Sequence, residues 1–376
     1  MSSQSSTTQA RTARSTIGDA ETVPEGESET VRDTNGQRAG FRIAGGAQAT
    51  ASPAAARYER GEELARGGLG RVTSALDRTL QREVAIKELH QRTEQSVRRF
   101  VREGLTTARL QHPAIVPILD AGTWDSGDPF LVMKLLEGKT LAEELKSRTT
   151  REARIALLPN LLAIADALGF AHEQGVVHRD VKPSNIMLGT HGETVLLDWG
   201  VAFDASASKL ETVGRGRSPD PIELGSDASE QLTVAGTLAG TVRYMCPEQA
   251  RGEPTVPGFD VYSLGVTIAT VLAGRQPFDG APQQQIVELL RDGRAVVPEL
   301  PAETPADLAA IVAAATAPLG ERYAHAGHLA DDLRKYIAGQ LVSARRYTRG
   351  ELLARWLRRN RVYVGAAGVA LAVIAV

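Results

Sequence analysis

Cysteine is almost missing from this chain: a single residue, Cys246, occurs in 376. An intrachain disulfide is thereby excluded, and one thiol suits a reducing compartment, where Cys246 reads as a small space-filling group. A net bias of charge is missing too. The 43 Lys and Arg stand against 45 Asp and Glu, for a formal charge of −2. That leaves no basic footprint, and no nucleic acid is expected as a partner. Residues 1–57 have few large apolar side chains and are rich in Ser, Thr, Gly, Ala and Glu. They contain no apolar h-region, which excludes a secretory signal. They bury too little to offset their ordering entropy, which predicts a disordered tail.

What the chain does contain is concentrated chemistry. His178-Arg179-Asp180-Val181-Lys182-Pro183-Ser184-Asn185 is followed by Asp198-Trp199-Gly200. This order supplies a base, a cation, an amide and a second carboxylate, the groups that phosphoryl transfer from ATP requires. Asp180 is the candidate base. Asn185 and Asp198 carry oxygens of the kind that hard Mg²⁺ prefers, with Mn²⁺ as an alternative. Lys182 can stabilise charge developing on the transferred group.

Upstream, Leu64-Ala65-Arg66-Gly67-Gly68-Leu69-Gly70-Arg71-Val72 reads as a glycine-rich turn between strands. There backbone N–H groups can approach phosphate without a Cβ in the way. Taken alone, such a turn is an ordinary hairpin. Val84-Ala85-Ile86-Lys87 is an apolar strand ending in a cation, and Arg98 to Glu103 opens a helical stretch that can turn Glu103 toward Lys87. It is the ordered set that carries the reading.

With these motifs in place, residues 58 to about 337 resemble the bacterial members of the eukaryotic-like (Hanks-type) serine/threonine protein kinases. The resemblance implies an α+β, two-lobed fold with ATP between the lobes: an antiparallel β N-lobe with one main helix (58–136) and a mostly helical C-lobe (137–338). It implies that Lys87 holds the α/β-phosphates and pairs with Glu103, that Asp180 is the base, and that Asn185 and Asp198 hold the metal. Leu64, Gly67, Gly68 and Gly70 would cover the nucleotide. Val72, Ala85 and Met187 resemble the apolar sandwich around adenine, with Met133 as gatekeeper and Lys134, Leu135 and Leu136 as the hinge. Asp260 resembles a buried carboxylate bracing the catalytic loop, and Arg322 the ion-pair partner of Glu248.

Some positions depart from the pattern. Ala65 replaces the first glycine of the loop, which a negative φ would accommodate. Trp199 replaces a phenylalanine, and Cys246 an alanine. None removes a phosphate, metal or base contact, so an active enzyme is expected. The alternative is an ATP-binding pseudokinase acting as a membrane-tethered scaffold. Lys182 two residues after Asp180, with Thr241 downstream, resembles kinases that phosphorylate Ser and Thr of proteins. The stretch from Asp198 to Glu248 is long for an activation segment. Its Thr233 and Thr237 are candidate regulatory phosphosites, which implies a homodimer for trans-autophosphorylation.

The C-terminal part is of another character. Residues 339–361 are basic, with Arg345, Arg346, Arg349, Arg355, Arg358, Arg359 and Arg361. Residues 362–376 are uncharged throughout. As a helix they would reach about 22 Å at ~1.5 Å per residue, short of a hydrocarbon core of roughly 30 Å. They are expected to be the start of a transmembrane helix, with the chain stopping inside it. The arginines would mark the cytoplasmic side, and Trp356 and Tyr363 an interface, giving a single-pass protein of the cell membrane.

Overall fold

The computed structural model describes residues 54–67, 70–89, 92–200, 202–204 and 242–360. The expected tail up to residue 53, Gly68, Thr233, Thr237, Thr241 and the 362–376 run lie outside the described residues.

Helical turn α1 (Ala54–Arg57) leads into strands β1 (Tyr58–Arg66), β2 (Gly70–Asp77) and β3 (Arg82–Leu89). Helix α2 (Glu94–Arg109) and strands β4 (Ile118–Thr123) and β5 (Pro129–Lys134) follow. The five strands form one antiparallel sheet in the order β1-β2-β3-β5-β4. Side chains alternate along β3. Val84 and Ile86 turn to one face and pack with Tyr58, Ala75, Phe130 and Val132. Ala85 and Lys87 take the other face, opposite Met133 and Leu131 of β5 and Ser74 and Val72 of β2. Helix α2 starts earlier than its charge pattern indicates, because Thr93 and Ser96 form a capping box that satisfies its first orphan donors.

The remaining elements are mostly helical. Short strands β6 (Gly138–Thr140), β8 (Ile186–Gly189) and β9 (Thr194–Leu196) form one small sheet, and β7 (Val176–Val177) pairs with β10 (Phe203–Asp204). Around them lie α3 (Leu141–Ser147), α4 (Arg151–Ile155), α5 (Leu158–Glu173), α6 (Pro247–Ala250), α7 (Gly258–Ala273), α8 (Gln283–Arg291), α9 (Ala306–Ala315), α10 (Ala326–Ile337) and α11 (Arg349–Arg359). The core is centred on α5 and α7, with Leu161, Ile164, Leu168, Leu264 and Ile268 fully buried. Each such side chain contributes roughly 1.5–3 kcal/mol of transfer free energy.

Helix α7 is apolar on all sides because it is enclosed on all sides. Its hydroxyls are satisfied within the helix: Ser263, Thr267 and Thr270 donate to the carbonyls of Phe259, Ser263 and Val266. Among the described residues only Arg151–Glu173 is long and apolar enough to cross a membrane, by length and composition. It is spent on the core instead, packed against α10.

The fold continues past the boundary expected at residue 338. Val342 is buried in the main core, with Ala344 and Tyr347 packed against it. Asp332 accepts the backbone N–H groups of Ser343 and Ala344 at 2.7 and 2.8 Å. Asp307 binds Arg345 at 2.8 Å and Arg355 at 3.2 Å. The first part of the basic segment is therefore docked on the lobe rather than detached from it. Its charges gave no hint of this, because Asp307 and Asp332 come from helices earlier in the chain.

Candidate active site

The site is assembled from strand ends and two loops. Lys87, near the end of β3, forms an ion pair with the Glu103 carboxylate on α2 and lies 3.1 Å from Asp198 Oδ1. Burial opposes the charge on Lys87, but the two carboxylates outweigh it and hold its pKa above the ordinary value. Burial pushes Glu103 up, partly offset by Lys87. Asp198 is drawn down to about 2, chiefly by Lys87. Lys87 and Asp198 are thereby held in their charged forms, and with Glu103 they form a cradle at the mouth of the sheet.

The second half of the site comes from the loop after β7. Lys182 Nζ lies 2.7 and 3.0 Å from the two oxygens of Asp180. Asn185 Nδ2 donates to the Asp180 carbonyl at 2.9 Å and to its Oδ2 at 3.0 Å. Burial raises the Asp180 pKa, and Lys182 limits the rise. A carboxylate so placed is a stronger proton acceptor than an exposed one, which suits general-base chemistry.

The backbone here is held in unusual conformations. Arg179 has φ 67° and Asp198 φ 60°, two of the four non-glycine positive-φ residues among those described. Such conformations cost free energy and persist where the surroundings over-determine them. Asp260, from α7, supplies that support: it accepts the backbone N–H of His178 and of Arg179, each at 2.7 Å. His172 Nδ1 accepts the N–H of Ala326. Its Nε2 therefore carries the proton and donates to Asp260 at 2.9 Å. Burial tends to raise the Asp260 pKa, but the hydrogen bonds from His172 and from the Arg179 N–H overcome it and hold it below the usual carboxylate range.

His178 extends the scaffold. Its Nδ1 accepts the N–H of Asp180, and its Nε2 donates to the Leu197 carbonyl at 3.1 Å. One ring thus ties the Asp180 loop to the strand leading to Asp198. Trp199 is 1% exposed and lies edge-on to this ring, with centroids 4.6 Å apart. Its Nε1 has no hydrogen-bond partner among the described residues. Gly200 is required by close approach, since a Cβ there would stand 2.9 Å from Glu103 Oε2. Gly70 is required for the same reason: a Cβ would meet the Glu88 carbonyl at 2.0 Å.

The expected adenine-contacting residues are placed with similar economy. Ala85, Val72 and Met133 lie on the Lys87 face of the sheet by register. Met187 alternates with Ile186 and Leu188, which face the core, and so turns the other way. Leu135 follows β5 directly. Leu64 is 50% exposed on β1, and Gly67 donates its N–H to Gly70 at the turn. Ala65 sits in β1 opposite Val72, outside the positive-φ set, so its methyl is accommodated.

The donor set fits a divalent cation. Asn185 and Asp198 offer one amide and one carboxylate oxygen. No group of three or more His, Cys, Asp or Glu that could hold a metal occurs among the described residues. Two protein oxygens are the usual complement for a cation that completes its shell with substrate phosphates and water. Other supports were not apparent from the motifs. His172 acts through Asp260, 88 residues further along the chain, and Gln249 donates its Nε2 to the Arg179 carbonyl at 3.0 Å across 70 residues. Arg322 meets Glu248 at 3.3 Å, as the family pattern implies.

The family model for the protein kinase domain matches residues 58–309, most of the chain. The chain belongs to the protein kinase family. It is similar to bacterial serine/threonine-protein kinases: 33% identical over 299 residues to PknB of Mycolicibacterium smegmatis, covering 77% of this chain and 44% of that protein. It is 35% identical over 231 residues to PknB of Mycobacterium tuberculosis H37Rv, covering 60% of this chain and 33% of that one. It is also 33% identical over 235 residues to PknD of Protochlamydia amoebophila, covering 59% of this chain and 23% of the relative. The chain thus spans less than half the length of these curated relatives.

Proposed function

We propose that this protein transfers the γ-phosphoryl group of Mg-ATP to Ser and Thr hydroxyls of proteins, its own activation segment included. One observation carries the reading: the Lys87–Glu103–Asp198 cradle stands beside the Asp180–Lys182–Asn185 cluster, each charge held by a named partner. In this reading Lys87 binds the α/β-phosphates, Asp180 orients and accepts the proton of the acceptor hydroxyl, and Lys182 meets the charge developing on the transferred group. Asn185 and Asp198 would hold Mg²⁺, which would supply positive charge to offset that of the phosphates. The apolar Val72, Ala85, Met133, Leu135 and Met187 receive the adenine.

Thr233 and Thr237 are the proposed phosphosites, modified by a second copy of the chain. The domain plan is a tail (1–57), the two lobes, the basic segment beyond them and an anchor from residue 362 that holds the kinase on the cytoplasmic side of the cell membrane. The uncharged 362–376 run and the arginines that precede it support the anchor. A scaffold that binds ATP without turnover gains nothing from the site, since the phosphate, metal and base positions are all filled by competent groups.

The test is autophosphorylation of the wild-type chain and of Asp180→Asn with Mg-ATP, with phosphosites mapped by mass spectrometry. Phosphate on Ser or Thr in the wild type alone is expected. Equal incorporation in both would remove Asp180 from the reaction, and ATP binding without incorporation in either would favour the scaffold.

A further inference from the structure

Helix α11 (Arg349–Arg359) has two faces that answer to different surroundings. Inward, Arg355 binds Asp307 and donates to the carbonyls of Gly339 and Gln340 at 2.9 and 2.8 Å. Arg345, just before the helix, binds both Asp307 and Glu351. A capping box of Thr348 and Glu351 fixes the helix start. The helix is therefore seated on the lobe at a defined angle.

Outward, the helix presents apolar groups. Leu353 is 58% exposed and Trp356 57%, with Leu352 and Leu357 each exposed by two fifths. Leu353, Trp356 and Leu357 follow i, i+3, i+4 spacing, and Leu352 stands four before Trp356, so they share one side. This is the densest run of exposed large apolar residues among those described. Arg346 and Arg349 at its near end are exposed and make no ion pair among the described residues. In sequence Arg358, Arg359 and Arg361 follow, and no acidic residue occurs after Glu351.

Asp307 and Glu351 are thus engaged by Arg345 and Arg355, while the exposed Arg346 and Arg349 flank an apolar centre. A second copy would bring like charges together. An anionic lipid surface complements both features, and Trp with Leu on one face and Arg at the margin is the composition of helices that lie in the interfacial plane. The helix also leads directly into the uncharged 362–376 run.

We propose that α11 is an interfacial helix that lies on the anionic cytoplasmic leaflet and, through Asp307, sets the orientation of the kinase lobe against the membrane. The inference rests on the proposed anchor, and goes beyond it by assigning a second, peripheral contact to residues 349–359.

The experiment uses the full chain in phosphatidylglycerol-containing and pure phosphatidylcholine vesicles. Trp356 is the reporter among three tryptophans, since Trp124 and Trp199 are buried, and Trp356→Phe supplies the blank. In anionic vesicles the Trp356 emission is expected to shift to the blue, to lose acrylamide quenching and to gain quenching by lipids brominated high in the acyl chain. An apolar face seated about 5–10 Å into the headgroup boundary would report in this way. Leu353→Glu is expected to abolish these changes while the chain still floats with the vesicles. If the wild type floats with vesicles in high salt but Trp356 stays open to acrylamide, the anchor stands and the interfacial helix is wrong. If the chain floats with neither vesicle, both readings fall.

Discussion

Asp260 accepts the backbone N–H of Arg179 at 2.7 Å, and so holds a residue at φ 67° immediately before the candidate base. The carboxylate is 0% exposed and has two further donors, the N–H of His178 and the ring of His172. Asp260→Asn replaces an acceptor oxygen with a donor facing another donor. A loss of about 3 kcal/mol is expected, the range for breaking a buried charged network. Denaturant unfolding measures it. The folded pKa of Asp260 lies below its unfolded value, so its stabilisation is present above the ordinary carboxylate range and is lost as pH falls through the folded pKa. The mutant's stability should therefore decline less steeply on acidification.

Asp180→Asn is expected to lower the rate of phosphoryl transfer by about 10²–10⁴-fold, the usual contribution of a positioned base, while nucleotide affinity changes little. Single-turnover transfer and a fluorescent-nucleotide titration on the same sample separate the two. A comparable loss of affinity would move Asp180 from chemistry to binding.

Lys182 limits the rise of the Asp180 pKa. Removing that cation disfavours the ionised carboxylate, so Lys182→Met should shift the acid limb of the kcat–pH profile to higher pH. An unshifted limb with reduced kcat would mean that the limb belongs to another group.

Glu103→Gln leaves Lys87 with Asp198 as its remaining carboxylate. Lys87 should then be less firmly placed, with the KM for ATP raised and kcat/KM lowered about 10–100-fold, consistent with roughly 1.4 kcal/mol per decade. Nucleotide titration and steady-state kinetics would show it, and wild-type values would reduce the ion pair to a structural role.

Asp307→Ala removes the one carboxylate that both Arg345 and Arg355 bind. Amide exchange over residues 349–359 should accelerate by about 2 kcal/mol of lost protection, the scale of charge-assisted hydrogen bonds. Exchange in α5 and α7 should be unchanged. Unaltered protection of α11 would show that the core contacts of Val342 and Tyr347 and the Arg355 bonds to the Gly339 and Gln340 carbonyls seat this segment without Asp307.

The local groups were legible along the chain because phosphoryl transfer needs particular side chains within short loops. His178 to Asn185 and Asp198 to Gly200 are such loops, and β3 shows its two faces by simple alternation. Their supports were less legible. His172, Gln249 and Asp307 act on partners that lie far away in sequence, so no local pattern marks them. Arg345 and Arg355 read as members of a uniform basic run, yet the structure spends them on Asp307 and leaves Arg346 and Arg349 outward.

By itself, then, the sequence determined the chemical groups of this protein: which carboxylates, cations and amides are present, and in what order. The tertiary structure alone decided which charges are paired, which backbone N–H groups brace a strained loop and that packing on the core continues past residue 338. Pairing and bracing depend on distances between residues remote in the chain, and only the packing of α5, α7 and α9 sets those distances.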